Sequence, residues 1–313
     1  MADQRGGGIT WTDETWNPIR GCQRVNTDCI NCYAERLAAT RLQRLDSYKA
    51  VAVMTPDGPR WTGTVILDHA KLLQPLRWKR PRRIFVNGMS DLFIDHLAND
   101  QIDQVVAVMA MTPQHTYQVL TKRPKRMAEY LSFEGRGQYR ELLLQQAQRR
   151  IFKDGVMYRM GLGVWPLPNV WWGVSMGHQK AVEAFRPDVL RCRDHAAVLW
   201  VSAEPLTEAI DLVPYFPREL ETSQTSSVFL KGIDWVVGGG ESGASARPCP
   251  IDAARQLRDQ CLQHQVPFHW KQWGEWAPDH YDPSKMIRQG KRAAGRRIDG
   301  LLWDQYPAGS SGQ

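Results

Sequence analysis

Three cysteines within eleven residues, Cys22, Cys29 and Cys32, run directly into Tyr33-Ala34-Glu35-Arg36-Leu37. Three thiols with no fourth ligand nearby describe a metal centre with one open position. Cys192, Cys249 and Cys261 lie far apart in dissimilar settings, so the clustering is not an effect of abundance. Six cysteines in 313 residues are sparse for a disulfide scaffold. The N-terminus, Met-Ala-Asp-Gln-Arg-Gly-Gly-Gly, lacks the apolar stretch of a signal peptide, and the longest apolar run, Val105 to Met111, is too short to cross a bilayer. These features predict a cytoplasmic protein with no membrane partner, in which close cysteines hold metal or do redox work.

Short β-branched and aromatic runs alternate with segments of helical period, the pattern of βα units. Seven strands are expected: Thr15 to Ile19, Ile84 to Asn87, Tyr117 to Thr121, Val170 to Ser175, Val198 to Ser202, Asp234 to Gly238 and Pro267 to Lys271. Most are near-continuous apolar runs, as in a parallel sheet covered on both faces. Helices are expected at Tyr33 to Leu45, Ile102 to Met111, Pro124 to Leu131, Gly177 to Arg191 and Ile251 to Gln263. One main domain over residues 1–276 then carries insertions at 46–80, 132–168 and 207–232. The second insertion holds a charged helix, Gln138 to Phe152, and residues 277–313 read as a partly disordered extension. Most of the thirteen tryptophans are expected to pack the interior.

In a parallel α/β barrel the functional groups collect at the C-terminal ends of the strands. Here those ends are polar: Asn87-Gly88-Met89-Ser90-Asp91, Thr121-Lys122-Arg123, Ser175, Ser202-Ala203-Glu204, Gly238-Gly239-Gly240-Glu241-Ser242 and Lys271-Gln272-Trp273-Gly274. The cysteine loop follows the first strand and opens on the same side. Ser90-Asp91 also reads as a helix N-cap, and the three glycines as a tight turn or as a place where a ligand meets backbone N–H groups. Glu241 and Lys271 are the candidate catalytic groups, and Trp273 a candidate substrate contact.

The segments Trp16-Asn17-Pro18-Ile19-Arg20-Gly21-Cys22 and Cys29-Ile30-Asn31-Cys32-Tyr33-Ala34-Glu35-Arg36 resemble the phage-associated three-cysteine-motif family, whose members look like radical S-adenosylmethionine (SAM) enzymes. The likeness extends through Val86 to Phe93, Leu120 to Pro124, Trp172 to Ser175, Ser202 to Leu206 and Gly239 to Gly243, from about Trp11 to Trp276. It implies a partial or full (β/α) barrel of the radical SAM type with insertions. A [4Fe-4S] cluster on Cys22, Cys29 and Cys32 would leave one iron for SAM. By position, the resemblance sets Asn87, Ser90 and Asp91 near the methionine amino group, Ser175 and Glu204 near the ribose, and Gly239 and Gly240 near the adenine. The spacing Cys-x6-Cys-x2-Cys is three residues longer than the Cys-x3-Cys-x2-Cys of most radical SAM enzymes, and Tyr33 follows the last cysteine, where an aromatic usually precedes it. Zinc is the rival reading, with His69 or His96 as a distant fourth ligand.

A net charge of +7 and the runs Arg77 to Arg83, Lys122 to Arg126 and Lys291 to Arg297 point to an anionic partner, a nucleic-acid base or nucleotide above all. Of these, Lys122 and Arg123 stand at a strand end, where they could meet phosphate. A radical SAM enzyme would also need an electron donor, and a family partner protein is a further expectation. Two other classes stay open: a non-catalytic zinc or iron-sulfur protein that binds nucleic acid or a partner, and a SAM enzyme acting on a small molecule or peptide.

Overall fold

The structure, a computed structural model, describes residues 9–132, 140–152, 165–221, 227–230, 232–282 and 284–308. Its main sheet is built from β1 (Glu14–Trp16), β2 (Arg83–Val86), β3 (Thr116–Thr121), β4 (Val170–Ser175), β5 (Val198–Ala203), β6 (Trp235–Gly239) and β7 (Phe268–Gln272). The seven strands take the same order in the sheet as in the chain. The principal helices are α1 (Tyr33–Ala39), α2 (Asn99–Met111), α3 (Pro124–Ser132), α4 (Arg140–Ile151), α5 (Gln179–Arg191) and α6 (Ile251–Gln263). This is a mixed α/β fold with a parallel sheet, compatible with the (β/α) barrel class. The expected strands all form, with ends shifted by one residue or a few. The first stops at Trp16, because Ile19–Arg20 turns aside to pair antiparallel with Ile66–Leu67.

The chain divides into two compact units. The first comprises Thr12–Val174 and Asp194–Ala197. Its strands pair in parallel with Thr15 opposite Phe85, Phe85 opposite Gln118 and Gln118 opposite Trp171. Because side chains alternate across a strand, these four share one face, and Trp16, Val86, Val119 and Trp172 share the other. The second face meets helices: Trp172 packs on Phe93, which packs on Tyr130 of α3, and the Tyr117 hydroxyl bonds that of Thr112 just after α2, at 2.6 Å.

The first helix ends at Ala39 and not at Leu45. Thr40 turns its hydroxyl back onto the Arg36 carbonyl at 2.6 Å, a local bond that competes with helix continuation. The 46–80 insertion then folds over α1. Its hairpin, Ala52–Thr55 with Gly58–Trp61, buries Val51, Ala52 and Tyr48 against Ala34, Ala38 and Ala39. Small residues on that helix face let the hairpin approach closely.

The second unit comprises Met1–Trp11, Ser175–Arg193 and Val198–Gln313. β5, β6 and β7 pair in parallel with Trp200 opposite Trp235, Ser202 opposite Val237 and Val237 opposite His269. Trp11 lies edge-on to both Trp200 and Trp235, with ring centres 5.3 and 5.9 Å away, and closes the N-terminal end of that face. Tryptophans therefore fill the interior as expected: Trp11, Trp16, Trp172, Trp200, Trp235 and Trp270 are fully buried. On the opposite face Gly238 lies under Leu257 of α6, where an added Cβ would stand 3.0 Å from that side chain.

Beyond residue 276 the described residues, 277–282 and 284–308, are folded. The segment forms two small hairpins, Trp276–Pro278 with Met286–Arg288 and Arg297–Ile298 with Leu301–Leu302. Residues 303–305 then line β7: the Trp270 N–H donates to the Trp303 carbonyl at 2.9 Å and the Gln305 N–H to the Phe268 carbonyl at 3.1 Å. The tail thus covers a sheet edge that would otherwise present unpaired backbone groups. Much of the second insertion, at 133–139 and 153–164, lies outside the described residues, as do 222–226 and 231 of the third and the closing 309–313.

Candidate functional site

Cys22, Cys29 and Cys32 are free and partly exposed, on the stretch between β1 and α1. Asn26 caps a short 3-10 turn, Thr27–Cys29, by accepting the Asp28 N–H, and this turn takes up the long Cys22–Cys29 spacer. Cys32 is the N-cap of α1, and its side chain makes no capping hydrogen bond. Burial of the sulfur pushes the Cys22 thiol up to about 12, helped by the Asp91 charge and opposed by Arg123. Burial also raises the Cys32 thiol, opposed by the backbone N–H groups at the start of α1 and by the nearby Lys122. Arg24 lies within electrostatic reach of Cys32 and Cys29. Three cations, Arg24, Lys122 and Arg123, thus surround the thiols.

Within the spacer, Arg24 grips Glu35 with Nε and Nη2, and Glu35 also accepts the Trp61 N–H at 2.9 Å. One buried carboxylate thereby ties the cysteine loop, α1 and the inserted hairpin together. Gly21, at φ +87°, is required here, since a Cβ would fall 2.0 Å from the Thr64 carbonyl oxygen.

The loop after β2 is laced to the same segment. Asn17 Oδ1 accepts the Met89 N–H, Asn87 Oδ1 accepts the Ile19 N–H, Tyr33 donates to the Gly88 carbonyl and Ser90 to the Gly21 carbonyl. Ser90, expected to bind cofactor, therefore holds the peptide before Cys22. Asp91, buried, is engaged by four donors: Phe93 N–H at 2.9 Å, Thr121 Oγ1 at 2.7 Å, Lys122 N–H at 3.1 Å and Arg123 Nη1 at 3.0 Å. Both of its oxygens are taken by protein. Arg123, expected to meet phosphate, is buried in this ion pair and donates its other arm to the Gln23 carbonyl at 3.0 Å. Asn87 stands apart: it is buried at φ +58°, and its Nδ2 has no partner among the described residues. That amide is the group in this loop with hydrogen bonds left to give.

In the second unit Lys271 Nζ contacts Glu204 Oε2 at 2.6 Å, and the Ser202 hydroxyl reaches Glu204 Oε1 at 3.3 Å. Ser175 donates to the Glu204 backbone carbonyl at 3.2 Å. Gly239 lies against this carboxylate, where an added Cβ would be 3.2 Å from Glu204 Oε2. Burial and the neighbouring Lys271 lower the Lys291 pKa, with Glu204 and Glu275 opposing. Glu204, Lys271 and Lys291 form a charged group at the C-terminal edge of β5, β6 and β7, and Lys291 is a member that its position in a basic tail concealed.

Gly240, expected near the adenine, Glu241, expected as a catalytic group, and Trp273, expected as a substrate contact, all make contacts within the protein. The Gly240 N–H donates to the Gln272 carbonyl, and an added Cβ would stand 2.0 Å from the Trp273 carbonyl oxygen. Glu241 is buried and held by Arg247 through Nε, Nη2 and the backbone N–H. Trp273 is buried against Trp270 and donates to the Arg297 carbonyl. These residues fix the loops after β6 and β7.

The family described as a protein of unknown function, DUF5131, matches residues 6–307. The chain belongs to the DUF5131 family. No curated protein and no solved structure matches it. The family match runs through the tail that lines β7.

For a metal, among the described residues no group of three His, Cys, Asp and Glu side chains is set to hold a single ion. His69 and His96, the distant candidates for a fourth ligand, are exposed. The three thiols lie within electrostatic reach of one another along the loop, with Arg24, Lys122 and Arg123 near them, and three thiols without a fourth ligand are the donor set that a cluster with one open iron would need. No helix among the described residues is long and apolar enough to cross a membrane.

Proposed function

We propose that this protein is an iron-sulfur enzyme of the radical SAM type, with Cys22, Cys29 and Cys32 as the protein ligands of a [4Fe-4S] cluster. The observation that carries the reading is the cysteine loop itself: three free thiols past the end of the first parallel strand, with Arg24, Lys122 and Arg123 in electrostatic range. The chemistry such a cluster supplies when bound is one-electron reductive cleavage of SAM to methionine and a hydrogen-abstracting radical.

The chain's own residues would act as follows. The three cations offset the charge of the thiolates. The Asn87 amide is free to donate to a ligand beside the loop. In the second unit, Glu204 and Lys271 offer an acceptor and a donor at strand ends. A nucleic-acid base or nucleotide remains the proposed substrate, on the family resemblance and the charge of +7. Arg123 lends it no support, being engaged by Asp91 and Gln23.

The test is anaerobic reconstitution with iron and sulfide, followed by assay with SAM and dithionite. A brown protein that releases 5'-deoxyadenosine is expected. A colourless protein with stoichiometric zinc and no SAM cleavage would replace this reading with the non-catalytic one.

A further inference from the structure

Ser90 and Asp91 are neighbours, and between them they reach both sides of Cys22. The Ser90 hydroxyl holds the Gly21 carbonyl at 2.5 Å, and the two residues form a parallel bridge. Asp91 holds the other side through Arg123, whose Nη1 meets the carboxylate at 3.0 Å and whose Nη2 meets the Gln23 carbonyl at 3.0 Å. The ion pair is nearly closed to solvent, at 8% and 7% side-chain exposure. Asp91 is itself immobilised by Phe93 N–H, Thr121 and Lys122 N–H, and the Thr121 hydroxyl also accepts the Arg123 N–H at 2.9 Å. A guanidinium anchored this firmly gives the Gln23 peptide little freedom.

Resting on the iron-sulfur reading, we infer that the Asp91–Arg123 pair is a positioning device for Cys22: it fixes the peptide that follows this cysteine and sets the charge that a cluster bound there experiences. The pair is close to neutral as it stands, with one anion and one cation beside the same thiol. Its two halves therefore act on a cluster with opposite sign. Losing Arg123 leaves the Asp91 carboxylate unopposed, which disfavours the reduced, more negative cluster. Losing Asp91 leaves the guanidinium unopposed and favours it.

Two measurements on the full-length protein decide this. Hydrogen exchange of the apo-protein should show faster exchange over residues 20–32 in Arg123→Gln and Asp91→Asn, with the peptides of β3 and β4 still protected. In the reconstituted protein the midpoint potential should fall in Arg123→Gln and rise in Asp91→Asn. Arg123→Lys, which keeps the charge, should stay near wild type in potential while losing part of the loop protection. Unchanged exchange over 20–32 would overturn the inference, and so would potentials that do not move or move the same way in both variants. Loss of protection throughout the sheet in Arg123→Lys would overturn it too, by making the pair a general folding element. A wild-type chain that takes up no iron would overturn the proposed function, and the exchange measurement would still decide whether the pair holds the loop.

Discussion

Arg24 reaches across the cysteine loop to Glu35, its Nε lying 2.9 Å and its Nη2 2.5 Å from Glu35 Oε2. One partner lies in the spacer between the first two cysteines and the other in the first turn of the helix after the third. The loop's shape therefore depends on a contact outside the cysteines themselves. Glu35→Ala should lower stability by about 1–3 kcal/mol, since it strands the Trp61 N–H and one face of Arg24. Urea denaturation of the apo-protein would show it. Glu35→Gln, which can still accept one bond, should fall between the two.

The cysteines divide cleanly by environment. Cys192, Cys249 and Cys261 are buried, and burial raises all three thiols, Cys192 and Cys249 to about 12. The raised pKa does not set them apart, since Cys22 is pushed up as far, but their full burial does: they pack the interior, whereas Cys22, Cys29 and Cys32 are partly exposed. Single alanine variants of Cys22, Cys29 and Cys32 should each lose the cluster, while those of the other three keep full iron and sulfide content and change stability alone. Full iron retention in Cys29→Ala would remove the ligand assignment.

The strands, the principal helices and the cysteine loop were legible in the sequence because each rests on local period or spacing. The partners of polar strand ends were not. The partners that hold Asp91, Thr121 at the end of β3 and Arg123 just after it, lie 30 and 32 residues on. Gly240 reads as room for a ligand until the Trp273 carbonyl oxygen fills that space. The folding of residues 284–308 was not legible either, because the pairing along β7 joins Gln305 to Phe268, 37 residues away. Long-range pairing of this kind has no signature in composition or period.

The glycine run makes the same point testable. Gly240→Ala places its Cβ against backbone, 2.0 Å from the Trp273 carbonyl oxygen, and neither side can yield without moving the loop. It should cost about 1–3 kcal/mol or more. Gly239→Ala meets a side-chain oxygen at 3.2 Å and should cost less in stability. If Glu204 serves a ligand, Gly239→Ala should still weaken SAM binding by shifting that carboxylate. Equal thermal shifts in the two variants would contradict this account of the run.

Glu204 and Lys271 form an ion pair that is mostly shielded, with side chains 13% and 20% exposed. A double-mutant cycle with Glu204→Gln and Lys271→Met should give a coupling energy above the roughly 0.2–1 kcal/mol of exposed pairs. SAM affinity, measured by calorimetry on the reconstituted protein, should fall by about 1–3 kcal/mol in Glu204→Gln if the carboxylate meets a ligand hydroxyl. A normal coupling energy with unchanged affinity would reduce the pair to a structural bridge.

The tail's attachment should depend on pH through Asp299. This residue lies in the turn between Arg297–Ile298 and Leu301–Leu302 and accepts from Arg255 and Arg258 of α6. Those hydrogen bonds, first from Arg255 and then from Arg258, hold its carboxyl below the ordinary value of 3.8. A folded-state pKa below the unfolded one means that the stabilisation is fully present above the unfolded value and is lost as pH falls through the folded one. Asp299 is partly exposed, so the effect is local and weakened by salt. Hydrogen exchange over residues 296–306 should therefore quicken between pH 4 and pH 3, beyond the intrinsic pH dependence, relative to the core of β6. Asp299→Asn should remove that difference and leave the tail equally loose at both pH values. If the variant keeps the wild-type pH response, the acid sensitivity of the tail does not come from Asp299.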